Sequence, residues 1–172
     1  MHLSDTRDIM ADRDTVWAAL MDPEVLKACV PGCQEMEGSA EDGFTAVVVQ
    51  KVGPVKATFK GTVTLSDLNK PDSLRLSGEG KGGAAGFAKG GADVTLEEIE
   101  GGTRLTYDVD AKVGGKLAQL GSRIIDGFAK KMADQFFTRF QEAVEGPEDE
   151  TEAPEAEETG GKKGWFKRLV KS

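Results

Sequence analysis

From Gly32 to Val113 the chain alternates apolar or small residues with polar ones. The pattern is clearest in Leu105-Thr106-Tyr107-Asp108-Val109-Asp110-Ala111-Lys112-Val113, where every odd position is apolar or small. This period of two predicts strands with one buried and one wet face. It continues on odd positions through Val55, Ala57, Phe59, Gly61, Val63 and Leu65, and on even positions through Leu74, Leu76, Ala92, Val94 and Leu96. Gly53-Pro54, Lys70-Pro71-Asp72 and Gly101-Gly102 punctuate the run, so short connections join the strands into a curved antiparallel sheet.

Helical spacing flanks this region. After a first extended segment, Leu3 to Met10, Asp12 or Asp14 can cap a helix carrying Val16, Trp17 and Leu20 on one face. Asp22-Pro23 then starts a second short helix that Pro31-Gly32 stops. At the other end, Leu117, Leu120, Ile124, Phe128, Met132, Phe136 and Phe140 recur every three or four residues, flanked by Ile125, Ala129, Ala133 and Phe137. One helix over 116–145 is expected, roughly 45 Å long at 1.5 Å per residue, with Gly146-Pro147 ending it. The fold class is α+β: strand, two helices, about six strands, then one long helix laid across the sheet.

Many positions that the alternation places inward are small: Ala57, Gly61, Gly78, Gly80, Gly82, Ala88, Gly90, Ala92 and Ala111. A close-packed interior sets large side chains opposite small ones, so this end predicts an apolar cavity under the helix. Its expected lining is Phe59, Leu76, Phe87, Tyr107, Leu120, Ile124, Phe128 and Met132. The alternative is that the glycines serve strand curvature and close helix approach.

Charge divides the chain further. The net charge is -8, and residues 146–161 hold seven acids and no base, whereas 162–172 hold five bases and no acid. The reading is a domain over 1–145, an acidic extended linker over 146–161, and a basic tail over 162–172. On a helical wheel Trp165, Phe166, Leu169 and Val170 share an arc of about 140°. Lys167, Arg168 and Lys171 fill the rest, with Lys162 and Lys163 just before. Such a segment lies in the interface of an anionic membrane, each base adding on the order of 1 kcal/mol. Docking of the tail into a protein groove, or folding back on the linker, is the competing reading.

The acidic balance argues against nucleic-acid binding. No run of 18 apolar residues occurs and the start has no signal-peptide core, so a cytoplasmic protein, peripheral on the inner membrane face, is expected. Gly78-Glu79-Gly80-Lys81-Gly82-Gly83 spells GxGxxG but is followed by a strand-like segment, not the helix a nucleotide site requires. Cys29 and Cys33 have no further thiol and only His2 as a nitrogen ligand, so no metal centre is expected and a turn with reduced thiols is the reading. With one histidine and no inward pair of carboxylates, no catalytic residue is assigned. A cyclase or hydrolase would have only Tyr107 as an inward polar group.

Val16-Trp17 with Asp22-Pro23-Glu24, Cys29-Val30-Pro31-Gly32-Cys33, Val52-Gly53-Pro54-Val55-Lys56, Gly78-Glu79-Gly80 and 113–123 (VGGKLAQLGSR) together resemble the CoxG family, the G component of carbon monoxide dehydrogenase, over about residues 1–144. The resemblance implies the helix-grip fold of START-like and polyketide-cyclase proteins, which hold hydrophobic ligands between sheet and helix. It also implies recruitment of a cytoplasmic, molybdenum-containing dehydrogenase complex to the membrane, and a tail of this type occurs in the family. Cavity and tail combined suggest a non-catalytic accessory protein serving electron transport. It would bind a hydrophobic small molecule or lipid, with a quinone (menaquinone or ubiquinone) carried between bilayer and enzyme as the leading case. A structural tether without ligand is the alternative.

Overall fold

The computed structural model describes residues 1–146. Asp12 caps α1 (Arg13–Leu20) by accepting from the Thr15 amide at 2.8 Å, and Asp22 caps α2 (Pro23–Cys29) by accepting from the Glu24 amide, with Pro23 at the first helical position. These follow β1 (His2–Ile9). Six strands come next: β2 (Cys33–Ser39), β3 (Gly43–Val52), β4 (Val55–Asn69), β5 (Ser73–Lys81), β6 (Phe87–Ile99) and β7 (Gly102–Gly114). The sheet order is β1-β7-β6-β5-β4-β3-β2 with every pairing antiparallel, so the meander of β2 to β7 is closed on one side by the first strand. Gly53, at φ +57, makes the tight β3–β4 turn that a residue with a Cβ disfavours.

The chain after β7 departs from the expected single helix. One turn, α3 (Lys116–Gln119), precedes α4 (Ser122–Glu145), and Gly121 separates them at φ +90, ψ 156, outside the helical region. At 24 residues α4 is about 36 Å long. The break also resets the helical phase: Ile125 is buried, while Ile124, expected to point inward, is exposed. Gly146 ends α4 and its amide donates to the Glu142 carbonyl.

Two apolar clusters hold helix and sheet together. The larger unites Ile9, Val16, Trp17, Leu105, Phe137 and Phe140, of which Ile9, Val16 and Phe140 are fully buried. Each such side chain contributes about 1.5–3 kcal/mol by leaving water. The smaller cluster, at the β3–β4 turn end, joins Val52, Leu117 and Ile125 with Phe59, Leu120 and Phe128. No helix among the described residues is long and apolar enough to cross a membrane.

Candidate functional site

Register fixes which side chains face the helix. Leu65 pairs with Leu76, Leu76 with Ala92 and Ala92 with Val109, while Leu74 pairs with Val94 and Val94 with Tyr107, so two cross-strand rows line the inner face. An apolar cavity of about 300 Å³ lies over these rows. Phe136 and Phe137 of α4 roof it, and Leu20, Met21, Leu26 and Val30 from the α1–α2 region close its side, with Met36 and Phe44 beyond. Tyr107 is the one lining side chain that carries an oxygen or nitrogen.

The polar end of the cavity is built around that phenol. Tyr107 is buried and stacks on Phe137, with ring centroids 4.9 Å apart and planes 15° from parallel. Arg7, on β1, places its guanidinium 5.4 Å from the Phe137 centroid and pairs with Asp134 of α4. Burial works against the Arg7 charge, yet hydrogen bonding to Asp134 and the nearness of the Tyr107 phenol outweigh it and raise the guanidinium's pKa. Asp134 is held below the usual carboxylate range, first by Lys130 and then by Arg7. The buried Arg7 Nε has no hydrogen-bond partner among the described residues. The result is a partly open apolar chamber whose one lining hydroxyl has the Arg7 charge behind it, a group of the kind that donates to a carbonyl oxygen of an otherwise apolar guest.

Of the eight residues expected to line a cavity, Leu76 and Tyr107 line this one. Phe59, Leu120 and Phe128 lie instead in the smaller cluster, and Met132 is half-buried on α4 outside the cavity lining. Ile124 and Phe87 are 42% and 41% exposed. Phe87 pairs with Gly114, has the parity of outward Lys89 and Asp93, and its ring covers the space where a Gly114 Cβ would sit. Phe59 likewise lies over Gly82, within 2.4 Å of where its Cβ would be. The small residues therefore did not signal this cavity: among them only Ala92 lines it, and aromatic rings from neighbouring positions occupy space that Gly82 and Gly114 leave.

Arg7 and Asp134 went unassigned in the sequence. The available signal was Arg7's parity with Leu3 and Ile9 on β1, which puts a cation on the inner face. The roof from the α1–α2 region had no such signal, because it depends on how the helices lean on the sheet. Cys29 and Cys33 are both free, and burial pushes both thiols up. The GxGxxG stretch runs from β5 into a three-residue 3-10 turn, Gly83–Ala85, and then β6. His2, Asp108 and Asp110 bring ligand-type atoms within 4.8 Å of one another, all exposed on the outer face, with His2 bonded to both carboxylates. The tail residues Lys162 to Lys171 and all but the first residue of the linker lie outside the described residues.

A family model for CoxG, the G component of carbon monoxide dehydrogenase, matches residues 6–145. The chain belongs to that family. A conserved protein from Geobacillus kaustophilus, known from its crystal structure, is 30% identical, with a TM-score of 0.78 over 84% of this chain and 95% of that one. Proteins from Rhizobium leguminosarum and Chromobacterium violaceum share the fold at 14% and 16% identity, with TM-scores of 0.65 and 0.61. Each similarity covers 84% of this chain, and 94% and 97% of the respective relatives. Among curated proteins no sequence matches significantly. In this CoxG member the matched region coincides with the helix-grip body, so cavity, Tyr107 and Arg7 all fall inside it.

Proposed function

We propose that this CoxG-family protein is a non-catalytic accessory to a cytoplasmic carbon monoxide dehydrogenase or related molybdenum enzyme. Its body binds a hydrophobic ligand and its tail holds the assembly at the inner membrane surface. The observation that carries the ligand half is the partly open 300 Å³ cavity, walled by aliphatic and aromatic side chains with a single hydroxyl. A fully packed core leaves no such space, and a volume at the lower end for small-molecule sites suits a ring with a short apolar extension. A quinone has that chemistry. Its head would accept a hydrogen bond from Tyr107, and most of a long isoprenoid chain would extend beyond the cavity. Family membership supports the association with a dehydrogenase, and the basic amphipathic sequence of 162–172 supports the membrane half.

Two experiments test these halves separately. Organic extraction of the purified protein should yield a quinone or similar lipid; a protein that comes out empty and stays empty after incubation with quinone would leave only a scaffold. Co-sedimentation of the dehydrogenase with anionic vesicles should require this protein, and Trp165→Glu with Phe166→Glu should release both. Sedimentation unaffected by those changes would remove the tail from the account.

A further inference from the structure

The outer face of the sheet carries an uneven charge pattern. At the end where β1 meets the β6–β7 turn its ionic groups are paired: Arg104 with Asp8 at 2.9 Å, and, nearer the centre, Arg75 with Asp93 at 2.8 Å and His2 with Asp108 and Asp110. Toward the β3–β4 turn the register sets lysine directly opposite lysine three times: Lys51 against Lys56, Lys60 against Lys81, and Lys89 against Lys112. All six are exposed, all have outward parity, and none forms an ion pair among the described residues. Two acids share this face with them: Glu79, opposite Lys89, and Asp110, two residues from Lys112 on β7 and bonded to His2. Like charges facing each other across strands destabilise a sheet, and a chain of net charge -8 has ample acid to break such pairs. Retaining three of them implies an anionic occupant.

The apolar groups at this end narrow the choice. Phe87 is exposed beside Lys81, its cross-strand partner, and Ile124 is exposed against the Gly53 turn between Lys51 and Lys56. Protein interfaces favour arginine and are depleted of lysine, whereas lysines around exposed aromatic and aliphatic groups are the composition of surfaces that adsorb on anionic lipid. We propose that this lysine-rich end of the outer sheet face is a second membrane contact, through which the body itself lies against an anionic bilayer. The proposal adds to the tail-anchoring reading but does not depend on it.

The test uses the full chain and vesicles of phosphatidylcholine with and without phosphatidylglycerol. Lys56→Glu, Lys60→Glu and Lys112→Glu together turn each opposed lysine pair into an opposite-charge pair and leave Lys89 facing Glu79, so the variant should melt no lower than the parent. It should bind anionic vesicles at least about tenfold more weakly, since each lysine near the surface counts for about fivefold. A control triple of equal charge change at exposed sites elsewhere, Lys27→Glu, Lys70→Glu and Lys131→Glu, should change binding less than about threefold. Equal losses in both triples would mean net charge alone acts, and undiminished binding of the first would leave the face to an acidic protein; either overturns the proposal. Trp165→Glu with Phe166→Glu, measured alongside, reports on the tail separately. Binding that survives the tail change but not the lysine changes would defeat the tail reading and keep this one.

Discussion

Tyr107 and Arg7 give the chamber its one chemical direction, and the aromatic ladder of α4 holds them there. Phe137 stacks on Tyr107 and meets Phe140 edge-on at 6.3 Å, while Phe136 stacks on Phe140 at 5.7 Å. Phe140 is fully buried, so Phe140→Ala should cost about 3–5 kcal/mol in urea unfolding through lost burial and an added void. A cost below about 1 kcal/mol would mean the ladder is not structural. Titration of exposed residues should shape stability more gently. The pKa values of Asp8, Asp12 and Asp134 are lowered, respectively by Arg104, by hydrogen bonds from Thr15, and by Lys130 with Arg7. The stability they contribute is present above their unfolded value near about 4 and is lost as pH falls through the folded values. His2 is raised, first by its hydrogen bond to Asp110 and then by the charge of Asp108. Its contribution is full below the unfolded value of 6.5 and is lost as pH rises through the folded one. At low salt the melting temperature should therefore be highest between about pH 5 and 6, with both flanks flattened by salt; a maximum above about pH 8 would contradict these assignments.

Among the elements, Gly121 does the most to place the cavity roof. Because its φ of +90 sits outside the range side chains favour, it stops α3 and lets α4 begin with Ile125 inward. Gly121→Ala has open space for the added methyl but strains the backbone, and should cost about 1 kcal/mol or more; a stabilised variant would mean the break is not needed. The strands, both short helices with their aspartate caps, and the three turns were legible because each rests on local chemistry: alternation, capping and proline. The helix break and the outward turn of Ile124 were not, since apolar spacing runs across 117–128 without interruption and one glycine's backbone angle decides the phase. The same limit applies to the cavity. Leu76 and Tyr107 followed from strand parity, and Phe87 would have been placed outward by that same parity. The leaning of Leu20, Met21, Leu26 and Val30 over the sheet is a tertiary property that no local pattern carries.

At the scale of the molecule, the body presents an apolar chamber between sheet and helix and a lysine-rich outer end. Its sequence continues into an acidic segment and a basic amphipathic tail. These are the parts a membrane-bound carrier of an apolar molecule needs, and the chamber is the part a simple tether does not. Native mass spectrometry after incubation with a short-chain menaquinone tests that distinction directly, comparing the parent with Ala92→Phe, which sets a ring into the inner row of the 300 Å³ cavity. One quinone per chain on the parent and none on the folded variant is the predicted result. Equal uptake by both, or by neither, would contradict a ligand-carrying role for the chamber.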